Sequence, residues 1–365
     1  MSRRLRVDAE TRLQKQAVYA READRRAQEI RARRQRELDE SQPAILDALD
    51  EYRKFREIPD VRLRATGIHI DPPRPLPPSL GGNPWPPGWD RVEQFAYDLR
   101  TRRPLGRLVA HKGGSSLNTY LSVLYTLNAQ ESRAFENGRR TASGQYRGEV
   151  PWSVLCGRGR GTARARRERM WRDLEALETA GLVRLGSAGG QRTIEGFVLL
   201  AEDGSGEDYA PPGPQDETIV LPDSFFTNGW HLVLRPREIV MLLTVFHAYQ
   251  RYGGQHEDWM VNGVPLTQSQ RWEEYGVSGE TYGSLHLLWE LGVISVHDPM
   301  PTRRQGKFRP PTEEQRAQYE ADGHAFSPLP YQLKPEPQGF DKPAVYRLAD
   351  CLSGAVFTGL GDLDL

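Results

Sequence analysis

The fifteen residues from Arg158 to Arg172 hold seven arginines and a single acid, Glu168. Guanidinium groups at that density suit one task above others, gripping oxyanions such as phosphodiesters through paired N–H donors. A solvated helix laced by Arg164–Glu168–Arg172 pairs is the bland alternative, but one glutamate cannot neutralise seven arginines. Two smaller groups have chemically capable side chains. His111-Lys112-Gly113-Gly114-Ser115 could bind an anion at a helix start, yet lacks P-loop spacing. His256-Glu257-Asp258 offers metal-ligand types without a second cluster at helical spacing, so it reads as a surface loop and no metal site is predicted. No GxxxxGK[ST], HExxH, GxSxG or H-x-E with PCxxC motif occurs. No catalytic residue, cofactor or small-molecule substrate is therefore assigned, and the chain does not read as an enzyme.

Charge is distributed unevenly. Lys and Arg total 49 and Asp and Glu total 49, for a net charge of zero. Between Arg139 and Arg172, however, ten arginines face two glutamates, while Ala201 to Glu217 holds six acids and no base. Arginine accounts for 43 of the basic residues and lysine for six, a bias that a GC-rich genome explains by itself. The 365 residues suffice for two or three domains. No apolar run approaches the ~18 residues of a membrane span, and the Arg-rich N-terminus lacks a secretory signal, so the expected location is cytoplasmic. Cys156 and Cys351 have no CxxC or His companion and are expected to be free thiols.

The elements that must position the arginines follow from periodicity. Residues 1–57 read as a charged helical arm: residues 2–40 lack Gly and Pro and favour helix by propensity, but hold no lasting heptad, so a solvated arm is expected. Ser41 and Pro43 signal a new start, followed by a short amphipathic helix with Ile45, Leu49, Tyr52 and Phe55. Residues 58–104 read as a linker, with eight prolines between 71 and 88 and a short helix around Val92, Phe95, Ala96 and Leu99.

From 105 to 200 a compact unit is predicted. Ser115 or Ser116 caps a helix with Leu117, Tyr120, Leu121, Leu124 and Leu127 inward, and Trp152 to Cys156 forms a short second helix. Gly157 to Gly161 is a turn, which resembles a minor-groove AT-hook but lacks its prolines. Thr162 caps a third helix ending at Gly181, with Ala163, Met170, Leu174 and Leu177 on one face and Arg164, Glu168 and Arg172 opposite. Leu182 to Leu185, a Gly-rich loop through Arg192, and Phe197 to Leu200 read as strand, wing and strand.

An acidic linker (201–220) leads to a second unit (221–350) of similar order. Pro236 starts a helix with Ile239, Leu242, Leu243 and Phe246 inward; Leu266 to Tyr275 and Glu280 to Leu291 give the next two helices. The third exposes Glu280, Tyr282, His286 and Glu290, a poor surface for a polyanion. Val293 to Val296 forms a strand, Arg303, Arg304, Lys307 and Arg309 a basic wing, and Ala344 to Leu348 the returning strand after a Pro-rich insertion. Residues 351–365 form a tail.

The fold class expected is mainly α with small β-wings (α+β), as two tandem winged-helix domains preceded by a charged N-terminal helical arm. With "RRERMWRDLEALETAGLVRL" in one unit and "EEYGVSGETYGSLHLLWELGVISV" in the other, the chain resembles plasmid and phage replication initiators and bacterial winged-helix regulators. That resemblance implies binding of double-stranded DNA by two successive modules, a role in replication initiation or transcription regulation, a possible homodimer, and a nucleoid-associated location. The expected DNA contacts are Arg158, Arg160, Arg164, Arg167, Arg169, Arg172 and Arg192 in the first unit and Arg303, Arg304, Lys307 and Arg309 in the second. The competing class is an assembly or scaffold protein whose winged helices and N-terminal helix bind protein partners. RNA binding is less favoured, since no aromatic platform on a sheet is evident.

Overall fold

Arg, Glu, Gln and Ala fill the first fifty residues, and they form one helix, α1 (Ser2–Tyr52), with Pro43 inside it. The computed structural model describes residues 2–55, 58, 60–70, 103–110, 115–129, 150–299 and 330–354, with the side chains of α1 described at Glu22 and from Arg25 onward. The Pro-rich stretch, the helix expected around Phe95, and the wing expected at Arg303, Arg304, Lys307 and Arg309 lie outside the described residues. Along α1, Glu22–Arg26 (2.6 Å) and Arg33–Glu37 (3.1 Å) pair at four-residue spacing. The new start expected at Ser41 and Pro43 does not occur. Ser41 Oγ donates to the carbonyls of Glu37 and Leu38 (2.8 and 3.1 Å), and Leu38, Ile45, Leu49 and Tyr52 continue one buried stripe across the proline. The arm is also not wholly solvated. Arg34 is buried, donating to Val233 O (2.8 Å) and to Glu238 (3.0 Å), because the same stripe docks α1 on the rest of the chain.

After α1, β1 (Asp60–Arg64) occupies residues expected to be linker. Val61 and Leu63 point inward, and the strand pairs antiparallel with β4 (Thr218–Pro222), Val61 opposite Leu221. Helix α2 (Pro104–Ala110) leads to α3 (Ser116–Ala129), of which only Asn128 is not buried. A helix enclosed on all sides must satisfy its polar groups internally. Asn118 donates to the carbonyls of His231 and Leu234 (2.6 and 2.8 Å), Ser122 and Thr126 bond one turn back (2.9 and 2.8 Å), and Tyr125 donates to Asp223 (2.8 Å).

Next come α4 (Trp152–Leu155) and α5 (Ala163–Ala180), then a hairpin of β2 (Val183–Ala188) and β3 (Gln191–Leu199). Gly181 ends α5 in the left-handed region (φ 78°), with Leu182 N–H on Leu177 O (2.9 Å), a glycine C-cap. Gly189 and Gly190, both at positive φ (60° and 78°), make the two-residue turn that a right-twisted hairpin needs.

The second half runs β4, α6 (Asp223–Thr227), α7 (Trp230–Val233), α8 (Pro236–Tyr252), α9 (Glu257–Asn262), β5 (Val264–Pro265), α10 (Gln268–Glu273), α11 (Gly279–Tyr282), α12 (Leu285–Glu290), β6 (Ile294–His297), β7 (Gln332–Pro335) and α13 (Ala344–Leu352). Strands β5, β7 and β6 form an antiparallel sheet in that order. The expected third helix is interrupted at Gly283 and Ser284, where a weak helix former sits mid-run. Of its outward residues only Glu280 is exposed; Tyr282, His286 and Glu290 are half-buried, Tyr282 beneath the Arg271 guanidinium at 3.7 Å. The returning strand is Gln332–Pro335, not Ala344–Leu348. Ala344, Val345, Leu348 and Cys351 recur at helical spacing and all four are buried.

One cluster of buried side chains runs from Leu38 through both halves to Cys351. Cys156 and Cys351 are free and buried, and burial pushes both thiols up to about 12. Among the described residues no helix is long and apolar enough to cross a membrane.

His231, on α7, lies at the centre of this core with no exposed surface. Tyr52 Oη donates to Leu155 O (2.6 Å) and lies 3.2 Å from His231 Nε2, so the imidazole donates to the hydroxyl from that nitrogen. Burial pulls the His231 pKa down to about 3, the carbonyl of Phe225 opposing it weakly. A histidine whose folded pKa is depressed contributes stability above its unfolded pKa of about 6.5 and loses it as pH falls below that point. Lowering pH from 7.5 to 5 is expected to remove about 2 kcal/mol through this residue alone, at roughly 1.4 kcal/mol per unit below 6.5. Urea unfolding of the natural chain and of His231→Gln at both pH values checks it; an equal loss in the two proteins would refute it.

Candidate nucleic-acid interface

Thr162 starts α5 as its spacing predicts, its hydroxyl accepting from Ala165 N–H (3.2 Å). Met170, Leu174, Leu177 and Ala180 then face the core against α2, α3 and α4. Ala163, expected on that face, is exposed, because the buried stripe of α5 begins only at Met170. Asp173 shares the buried stripe. It accepts from Ser115 Oγ and Thr119 Oγ1 (2.8 Å each) and sits 3.5 Å from Arg158 Nε, so a carboxylate joins α3, α5 and the turn.

The arginines divide by task. Arg169 donates to the carbonyls of Arg158 and Arg160, and Arg166 to that of Gly161 (2.8 Å), so two side chains of α5 strap down the turn that precedes it. Arg158 is turned toward Asp173 and mostly buried. Arg160 makes a two-pronged pair with Asp47 of α1 (2.6 and 2.8 Å), which raises its pKa and ties the arm to the turn. Arg164 and Arg172 remain exposed on the outer face of α5, and Arg167 is exposed at its flank. Arg164 is 89% exposed and pairs with Glu168 (2.8 Å), and Arg172 Nε donates to the Glu168 carbonyl (3.3 Å). Arg192, on β3, pairs with Glu178 and approaches Glu175 (3.9 Å) at the far end of the helix. The outer face of α5 is thus basic over its N-terminal half and charge-balanced over its C-terminal half, where the hairpin folds against it. Backbone N–H groups at the helix start add to the positive potential.

No protein-family model matches the chain, and no curated protein or solved structure matches it. The functional reading therefore rests on the geometry of these side chains.

Two features were missed in the sequence. Asp173 was legible: three residues after Met170 and four before Leu177, it had to fall on the inner face. The second was not. His69, Glu217 and His247 bring one donor atom each within 4.8 Å of one another, from segments 148 and 30 residues apart. His256 and Glu257, by contrast, lie exposed at the surface, and Asp258 bonds to Asn262 (2.7 Å) and Gln332.

Proposed function

We propose that the chain binds double-stranded DNA through two winged helices in tandem, as a replication initiator or transcription regulator, with the N-terminal half of α5 entering the major groove. The observation that carries this reading is the exposure of Arg164 and Arg172 on the outer face of a helix whose opposite face is packed in a core, with Arg167 exposed at its flank. Helix order supports it: α3, α4, α5 and the β2–β3 hairpin have the sequence of a winged helix, and α8, β5, α10, α11 with α12, β6 and β7 repeat it with a third strand. In such modules residues near the start of the third helix reach base edges and the wing touches the backbone. Glu168 does not prevent this, since exposed four-residue pairs are weak and exchangeable. Exposed Glu280 at the start of α11 disfavours the same role for the second module, which would instead use its basic wing.

A gel-shift titration with DNA from the protein's own upstream region tests the reading. Arg164→Ala/Arg172→Ala is expected to weaken binding about tenfold or more and to lower the log–log salt slope by about 2, near 0.9 per lost phosphate contact. Both residues are exposed, so the melting temperature should not move. Unchanged affinity would remove α5 as the reader. Sizing the protein without residues 1–24, in the absence of DNA, addresses assembly as the rival role. A larger deletion would strip Leu38, Ile45 and Leu49 from the core.

A further inference from the structure

We propose that His69, Glu217 and His247 bind a single transition-metal cation of the zinc class, independently of any nucleic acid. Three segments converge there. His69 follows the turn after β1, Glu217 precedes β4, and His247 is on the inner side of α8. Both histidines are buried, at 4% and 1% exposure.

His247 is the least satisfied of the three. Its Nδ1 lies 3.0 Å from Tyr275 Oη, and its Nε2, though buried, has no hydrogen-bond partner while standing 3.2 Å from Glu217 Oε1. If Nδ1–H donates to Tyr275, the bare lone pair of Nε2 confronts a carboxylate oxygen. If Tyr275 donates instead, the Nε2–H finds no acceptor in hydrogen-bonding geometry. Neither tautomer gives the buried Nε2 a well-formed hydrogen bond, the facing oxygen being Glu217 Oε1 at 3.2 Å. A cation between Nε2 and Oε1 resolves both cases, and Tyr275 then serves as the outer partner that fixes ring orientation, as metal-bound imidazoles require.

Two imidazoles with one carboxylate select zinc, cobalt, nickel or copper over magnesium or calcium, which prefer all-oxygen shells. Zinc–nitrogen bonds of about 2.0–2.1 Å place tetrahedral donors roughly 3.4 Å apart, so the present spacing of up to 4.8 Å must contract. Glu217 can supply the movement, being 42% exposed; it now pairs with Arg251 at 2.6 Å and would exchange that cation for the metal. Glu274 Oε2, 3.7 Å from His69 Nε2, is held by Tyr252 Oη (2.8 Å) and lies outside the three-donor group, so the fourth position falls to water. The metal would clamp the β1–β4 ribbon to α8, a structural role.

The test uses the full chain, stripped with chelator and titrated with zinc chloride or cobalt chloride alone. Expected are one metal per chain, visible cobalt absorption of four-coordinate type, and a rise of several degrees in melting temperature. Tyr275→Phe should weaken binding roughly 10–100-fold as an outer-shell loss. Glu217→Gln, a surface change that leaves folding intact, and His247→Gln should each cost more than that. Absence of saturable one-to-one binding overturns the proposal, as does zinc affinity unchanged in Glu217→Gln.

Discussion

Asp173→Ala is expected to destabilise the protein by about 3–5 kcal/mol, the range for removing one partner of a buried ionic network. Asp173 is 4% exposed and accepts from the hydroxyls of Ser115, just before α3, and Thr119 on α3, besides facing Arg158. Alanine leaves all three donors without an acceptor and Arg158, only 21% exposed, without its counter-charge. Asp173→Asn keeps one carbonyl oxygen for Thr119 or Ser115 and should recover about half of the loss. Urea unfolding at pH 7.5 decides between them. A cost below about 1 kcal/mol for alanine would mean that Arg158 reaches water freely and that the carboxylate is not a structural tie. The consequence extends to the outer face. Asp173 holds Arg158, the backbone of Arg158 holds Arg169, and that turn sets the direction in which α5 presents Arg164.

The parts of this arrangement written in local chemistry were legible from the sequence. Thr162 and Gly181 bound α5 because a hydroxyl before a helix and a glycine after it satisfy backbone groups whatever surrounds them. Pro43 misled for the opposite reason. A proline inside a helix costs about 3 kcal/mol, and here the buried row from Leu38 to Tyr52, spanning both sides of it, outweighs that cost. At Ala344–Leu348 a short apolar run fits either strand or helix, and only the packing of Leu348 and Cys351 decides. Sites assembled from distant segments left no trace at all. Nothing near His69 announces His247, and nothing near Arg64 announces Glu202.

That last pair yields the second large effect. Glu202 has no exposed surface and Arg64 is 16% exposed; they pair at 2.9 Å, and Arg64 also reaches Asp216 (3.1 Å) and Ala210 O (2.9 Å). Burial raises the Glu202 pKa above its ordinary 4.5, with the bond to Arg64 offsetting only part of the shift. Arg64→Met strands a carboxylate in the core and should cost about 3–5 kcal/mol, whereas Glu202→Gln, which removes the buried charge and keeps an acceptor, should cost about 1 kcal/mol or less. The double variant should then be more stable than Arg64→Met alone. The pH dependence has a definite sign. A carboxyl whose folded pKa is raised contributes full stability below its unfolded pKa and loses it as pH climbs through the folded value. Deleting Arg64 pushes that value higher, so the Arg64→Met deficit should be largest at neutral pH and shrink as acid protonates the buried carboxylate. Unfolding curves for the three variants at pH 5 and 7.5 measure this directly; a deficit independent of pH would show that Arg64 acts through packing of its stem and not through the buried charge beside it.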